Sequence, residues 1–78
     1  MKDEIKAILE EICPDVDFET EEALIDDGVI GSFDVIQILS ELMEAYDIVI
    51  DADEIEPENL NNLDAITALV EKKIEERE

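Results

Sequence analysis

The sequence predicts an all-α domain, a four-helix bundle with three main helices, one short third helix and a long first loop. Three observations carry this. Apolar residues recur at helical spacing in three separate stretches, each opened or closed by a recognisable cap or breaker. The composition is 46% hydrophobic with only three aromatic residues, Phe18, Phe33 and Tyr46, so the apolar payload is aliphatic and suits a small helical core rather than a disordered chain. A length of 78 residues fits one compact domain, residues 1–78, and leaves no room for a second core beside a catalytic cleft.

In residues 2–13, Ile5, Ile8, Leu9 and Ile12 fall on one helical stripe while Glu4, Glu10 and Glu11 face elsewhere, and Pro14 ends this first helix. Residues 15–31 lose the periodicity. Phe18, Leu24, Ile25, Val29 and Ile30 are scattered there among turn formers and acids, and they are expected to pin a long loop to the core. A loop of this length signals function or a hidden helical turn, for which residues 21–25 are the expected place. In residues 32–46, Val35, Leu39, Leu42, Met43 and Tyr46 share one arc of about 100° at 3.6 residues per turn, flanked by Ile36 and Ile38. The opposite face carries Phe33, Asp34, Gln37, Glu41 and Glu44. Ser32 is expected at the N-cap, with Gly31 permitting the tight approach. Ile48, Val49 and Ile50 are too short a run for a strand, and Pro57 suits the first position of a brief helix ending near Leu60. Asn61 or Asn62 then caps a last helix with a core stripe of Leu63, Ile66, Leu69, Val70 and Ile74, and Lys72, Lys73 and Arg77 complement its dipole near the end.

Charge narrows the partners. Asp and Glu number 25 against 5 Lys and Arg, a formal charge of -20, which repels nucleic-acid phosphates and anionic lipid headgroups and attracts proteins with basic patches. The same charge favours a monomer. The first residues, Met-Lys-Asp-Glu, lack the apolar run of a secretory signal, and no stretch approaches the roughly 20 apolar residues that span a bilayer, so the expectation is a cytoplasmic protein without membrane insertion.

Independent catalysis is not expected. There is no histidine, and Cys13, the single cysteine, has no evident base and reads as a small half-buried hydrophobe. The acids form a solvated surface rather than an acid–base pair. Asp51, Asp53 and Ile55 partly mimic the start of a calcium loop, but the match fails at Ile55, at Glu56 where glycine is needed, and at Asn62 where a bidentate Glu closes the site. Zinc is disfavoured for want of ligands, so no metal is assigned.

The informative segment is Asp26-Asp27-Gly28-Val29-Ile30-Gly31-Ser32-Phe33-Asp34-Val35-Ile36-Gln37-Ile38-Leu39, in which a serine ends a loop and opens an acidic helix. An ordinary cap accounts for such a serine. The positive end of a helix also accommodates a phosphodiester on the hydroxyl, and a separate transferase would supply the base that this chain lacks. Phe33, apolar within a rim of Asp34, Gln37, Glu41 and Glu44, suits brief, electrostatically steered docking.

On these residues the chain resembles the acyl carrier protein family, together with its D-alanyl and peptidyl carrier relatives. The lead-in Leu24-Ile25-Asp26-Asp27-Gly28-Val29-Ile30, the pair Ser32-Phe33, the apolar positions Val35 and Ile38, and the closing Tyr46-Asp47 match the family pattern, and the likeness extends to Ile50, Asn59-Leu60 and the final helix. The resemblance implies a covalent 4'-phosphopantetheine on Ser32, donated by coenzyme A, whose thiol holds an acyl or aminoacyl cargo as a thioester. It implies docking through Phe33, Asp34, Glu41 and Glu44, with Gln37 in the same patch. The implied partners are a phosphopantetheinyl transferase, an acyl- or aminoacyl-activating ligase and downstream acyl-processing enzymes with basic docking patches. Two positions depart from the pattern: Gly31 stands where the family has Asp, and Gln37 where an acid is frequent. The first removes a charge beside the attachment site, and the second thins the patch. The alternative is an unmodified acidic adaptor that binds a basic partner through the same helix.

Self-repulsion on so small a fold predicts that added salt or divalent cations raise the melting temperature. A salt titration followed by circular dichroism checks this, and a flat melting temperature would contradict it.

Overall fold

The computed structural model describes residues 1–77, and side chains up to residue 76, so the charge expected from Arg77 lies outside the described side chains. Four helices form the fold: α1 (Lys2–Ile12), α2 (Ser32–Tyr46), α3 (Pro57–Leu60) and α4 (Leu63–Arg77), with one 3-10 turn at Ala52–Glu54 before α3. There is no strand among the described residues, and the all-α four-helix architecture with its long first loop stands as the periodicity predicts. α1 packs on both α2 and α4, whereas the four-residue α3 rests on α4.

The core is aliphatic apart from one ring. Ile5 and Leu9 of α1, Ile38, Leu39 and Leu42 of α2, and Leu63, Ile66, Leu69 and Val70 of α4 are buried around Phe18, which comes from the loop. Each such side chain contributes roughly 1.5–3 kcal/mol when sealed from water. The expected arc on α2 is rotated: Ile38 is buried, whereas Ile36 is 65% exposed. Ile48 and Ile50 are buried on either side of an exposed Val49 in irregular chain that pairs with no strand among the described residues. Tyr46 closes α2 against the core, its hydroxyl sealed from solvent with no hydrogen-bond partner among the described residues.

The loop, residues 13–31, is held by its side chains much as expected, with Phe18, Leu24 and Ile30 buried and Ile25 half-buried. Val29 departs from the expectation and is exposed. The hidden turn lies later than residues 21–25. Asp17 nucleates one turn, its carbonyl accepting from Glu21 N at 3.1 Å. A second, single helical turn follows, in which Asp27 N reaches Ala23 O at 2.8 Å, Gly28 N reaches Ile25 O at 3.1 Å and Val29 N reaches Leu24 O at 3.0 Å. This paired pattern, with Gly28 at φ 69, is a Schellman closure, and it needs the left-handed conformation that glycine adopts without strain. Glycine at position 28 fixes where the turn ends, and so shifts it towards Ser32.

Helix ends follow local chemistry. Asn62 caps α4, its Oδ1 accepting from Ala65 N at 2.7 Å, which settles the choice between the two asparagines. Pro57 occupies the first turn of α3 as expected. Asp47 closes α2 in a left-handed conformation, φ 53, tolerable for Asp, while Ile48 N bonds Met43 O at 3.1 Å.

The acidic segment before α3 is tied to α4 by a lysine. Lys73 Nζ lies 2.7 Å from Glu54 Oε1 and 2.9 Å from Glu76 Oε1, and the Lys73 and Glu54 side chains keep only 10% and 15% of their surface exposed. Lys72 approaches the other Glu54 oxygen at 3.6 Å. The bond from Lys73 holds the Glu54 carboxyl below its ordinary value of 4.5, and the acids around Lys73 push its ammonium above 10.5. Because the folded-state value of Glu54 is depressed, its stabilisation is complete above the unfolded value and is lost as pH falls through the folded one. Glu54→Gln is therefore expected to melt below the wild type near pH 7, and the gap should narrow as pH falls below the ordinary value of 4.5 and through the depressed folded one. Thermal melts of the two across that range check the sign.

Candidate functional site

Ser32 stands at the N-terminus of α2, at the end of the loop, but one position further in than expected. Gly31, at φ -90 and ψ 174, is the cap residue, and Ser32 is the first residue of the helix. The first intrahelical bond, Val35 N to Gly31 O at 3.0 Å, confirms the register. Ser32 therefore does not cap α2. Its exposed side chain makes no hydrogen bond among the described residues, and its hydroxyl is free on the surface. The capping task falls to Asp34, whose Oδ2 accepts from Gly31 N at 3.3 Å.

The expected docking residues divide into two groups. Phe33 is 76% exposed, and Gln37, Glu41 and Glu44 are exposed along the same face of α2. Their spacing of four, four and three places them on one stripe. Asp34 is half-buried and turned back to the helix start. Burial, together with the Asp34 carboxylate, pushes the Cys13 thiol above its ordinary value, so that thiol is a poor nucleophile.

Sequence reasoning missed Ile36. It follows Ser32 by one turn on the same side of α2, and with Phe33 it forms an exposed apolar pair. Exposed Val29 precedes this pair in the chain and Ile55 faces it from the segment before α3. The available signal was that Ile36 flanked the core arc rather than filling it.

Between α2 and α3 lies a groove of about 260 Å³, lined by Ile25, Ser32, Val35, Ile36, Ile55, Glu56, Pro57 and Leu60. It exists because α3 leans on α4 and leaves the flank of α2 uncovered. Its wall is apolar except for Ser32 and Glu56. The nearby Glu58 carboxylate favours the protonated form of Glu56, which can donate to it and escapes its like charge, so the Glu56 carboxyl is raised above 4.5. A larger cleft of about 430 Å³, lined by Lys2, Phe18, the acids of the loop and the start of α4, is distant in the chain from Ser32 and mostly polar. Among the described residues, no three acids or cysteines converge where a metal ion would sit.

The arrangement is thus a free primary hydroxyl at the positive end of a 15-residue helix, beside an apolar groove and below an apolar pair set in acids. Among the described residues, no side chain accepts a hydrogen bond from the hydroxyl. No family model, no curated protein and no solved structure matches this chain. No helix among the described residues is long and apolar enough to cross a membrane.

Because Phe33 and Ile36 project into water, truncating them removes contact surface without opening a cavity, and alanine is the better helix former. Phe33→Ala with Ile36→Ala is expected to leave the urea midpoint unchanged or higher, which equilibrium unfolding measures. A fall in unfolding free energy of more than about 1 kcal/mol would place these side chains in the folded core instead.

Proposed function

We propose that this chain is a phosphopantetheine-dependent carrier protein that tethers acyl or aminoacyl intermediates as thioesters and presents them to partner enzymes. The observation that carries this reading is the unpaired, exposed hydroxyl of Ser32 at the helix start, next to an apolar groove. The free backbone amides of the first turn of α2 suit a phosphodiester on that hydroxyl. The groove suits the uncharged, partly apolar body of a pantetheine arm, so the residues present fit the group. When bound, the arm supplies the thiol that holds the cargo, which is why a chain without a nucleophile and base of its own can serve acyl transfer.

The chain's own residues set the surroundings. Ile25, Val35, Ile36 and Leu60 form the apolar lining, and Asp34 fixes the start of α2 through Gly31. Phe33 and Ile36 offer apolar contact, while Glu41 and Glu44 draw in cationic partners. A transferase, an activating ligase and downstream acyl-processing enzymes would each approach with a basic patch, since complementary potential raises encounter rates and orients short-lived docking. In the competing reading, an unmodified adaptor, α2 binds a basic partner directly and Ser32 has no part in it.

Incubation with coenzyme A, magnesium and a broad-specificity phosphopantetheinyl transferase, followed by intact mass and peptide mapping, tests the proposal. The expected result is one phosphopantetheinyl group on Ser32, absent in Ser32→Ala. A protein left unmodified by several transferases would refute the carrier reading and favour the adaptor.

A further inference from the structure

The loop that leads to Ser32 is fastened to the junction of α3 and α4 by one residue. Asn61, half-buried between α3 and α4, accepts two backbone bonds at Oδ1, from Ile25 N at 2.9 Å and Asp26 N at 3.1 Å. Its Nδ2 donates to Asp26 Oδ2 at 3.0 Å, and its carbonyl accepts from Leu24 N at 2.8 Å. The amide orientation is dictated by its partners: reversed, it would set an NH2 against two donors and an oxygen against a carboxylate. These four bonds span some 35 residues of sequence and meet the loop at its single helical turn.

The fastening runs on to the serine. The Leu24 carbonyl accepts from both Val29 N and Ile30 N, at 3.0 and 3.2 Å, and only Ile30 and Gly31 separate Val29 from Ser32. Ile25 lines the groove from the loop, and Ile55, Pro57 and Leu60 line it from the segment just before Asn61 in the chain. One asparagine therefore ties together two segments that line the groove, one of which leads on to Ser32.

Resting on the carrier reading, we infer that Asn61 is a positioning residue for modification of Ser32: it holds the loop and the groove in the arrangement that a phosphopantetheinyl transferase binds. It touches no reacting atom and acts through Ile25, Asp26 and the Leu24 carbonyl. Asn61→Asp keeps the two amide acceptors but sets a second oxygen against Asp26, and adding Asp26→Asn supplies the missing donor from the other side.

The test combines backbone amide hydrogen exchange with transferase kinetics on wild type, Asn61→Ala, Asn61→Asp and the Asn61→Asp, Asp26→Asn double variant. In both single variants the amides of Ile25 and Asp26 are expected to exchange about tenfold faster or more while those of α1 and α4 keep their protection. The transferase KM for the carrier should rise about fivefold to tenfold with kcat within about twofold, because a mobile loop weakens recognition and leaves the hydroxyl intact. The double variant should return both readouts to within about twofold of wild type. If Asn61→Ala also loses protection in α1 and α4, Asn61→Asp and its rescue decide. Wild-type protein modified no faster than folded Asn61→Asp, or loop amides unchanged in that variant, overturns the positioning role alone. Wild-type protein that takes no phosphopantetheine overturns the carrier reading and the positioning role with it.

Discussion

With 25 acidic groups against five basic ones on 78 residues, folding gathers like charge that the open chain keeps apart, and every other feature is arranged around that repulsion. The aliphatic core supplies the attraction. The cations supply direction. Lys2 of α1 meets Asp64 of α4 at 2.6 Å, Lys6 of α1 meets Glu19 of the loop at 2.9 Å, and Lys72 and Lys73 of α4 hold Glu54. Exposed ion pairs of this kind contribute little singly, about 0–1 kcal/mol, and only the Lys73 pair is well shielded. Their placement still matters, since each joins two separate elements at a point where acids would otherwise face one another.

None of the lysines stands on α2. The ties are spent elsewhere, so the helix that begins at Ser32 keeps its negative stripe of Glu41 and Glu44 uncompensated along its own length, next to Phe33 and Ile36. Site and scaffold therefore draw on one asymmetry. The fold is held at α1, α4 and the turn before α3, while α2 shares its inner face with the core and leaves its outer face and N-terminus unengaged. α3, only four residues long and leaning on α4, is too short to cover the flank of α2, and the groove is what remains uncovered.

Much of this was legible in the sequence because aliphatic periodicity is a strong signal. Ile5 and Leu9, Leu39 and Leu42, and Leu63, Ile66, Leu69 and Val70 are core residues at the spacing that suggested them. What periodicity does not report is the rotation of an arc at its edges, so Ile36 and Ile38, equivalent on paper, went opposite ways. Ser32 and Gly31 differ by one step at the helix start, and the carboxylate of Asp34 took the bond that a capping serine would have made. Asn61 and Asn62 were interchangeable as caps until the loop claimed the first of them. That contact is long-range and built from a side-chain amide, and nothing in local pattern or composition announces it. The exposed serine was visible as a residue, but the groove beside it, made where the segment from Ile55 to Leu60 meets the loop and α2, was not.

Gly31 has a consequence of another kind. Its backbone, φ -90 and ψ 174, is extended and open to any amino acid, and a Cβ built there meets nothing within 4 Å. An aspartate would fit and would even be a better cap than glycine. Unlike Gly28, whose φ demands glycine, this glycine is not required by the architecture. The protein thus has an adjustable position next to the exposed Ser32 hydroxyl, where a single codon change can set the local charge while the fold stays as it is.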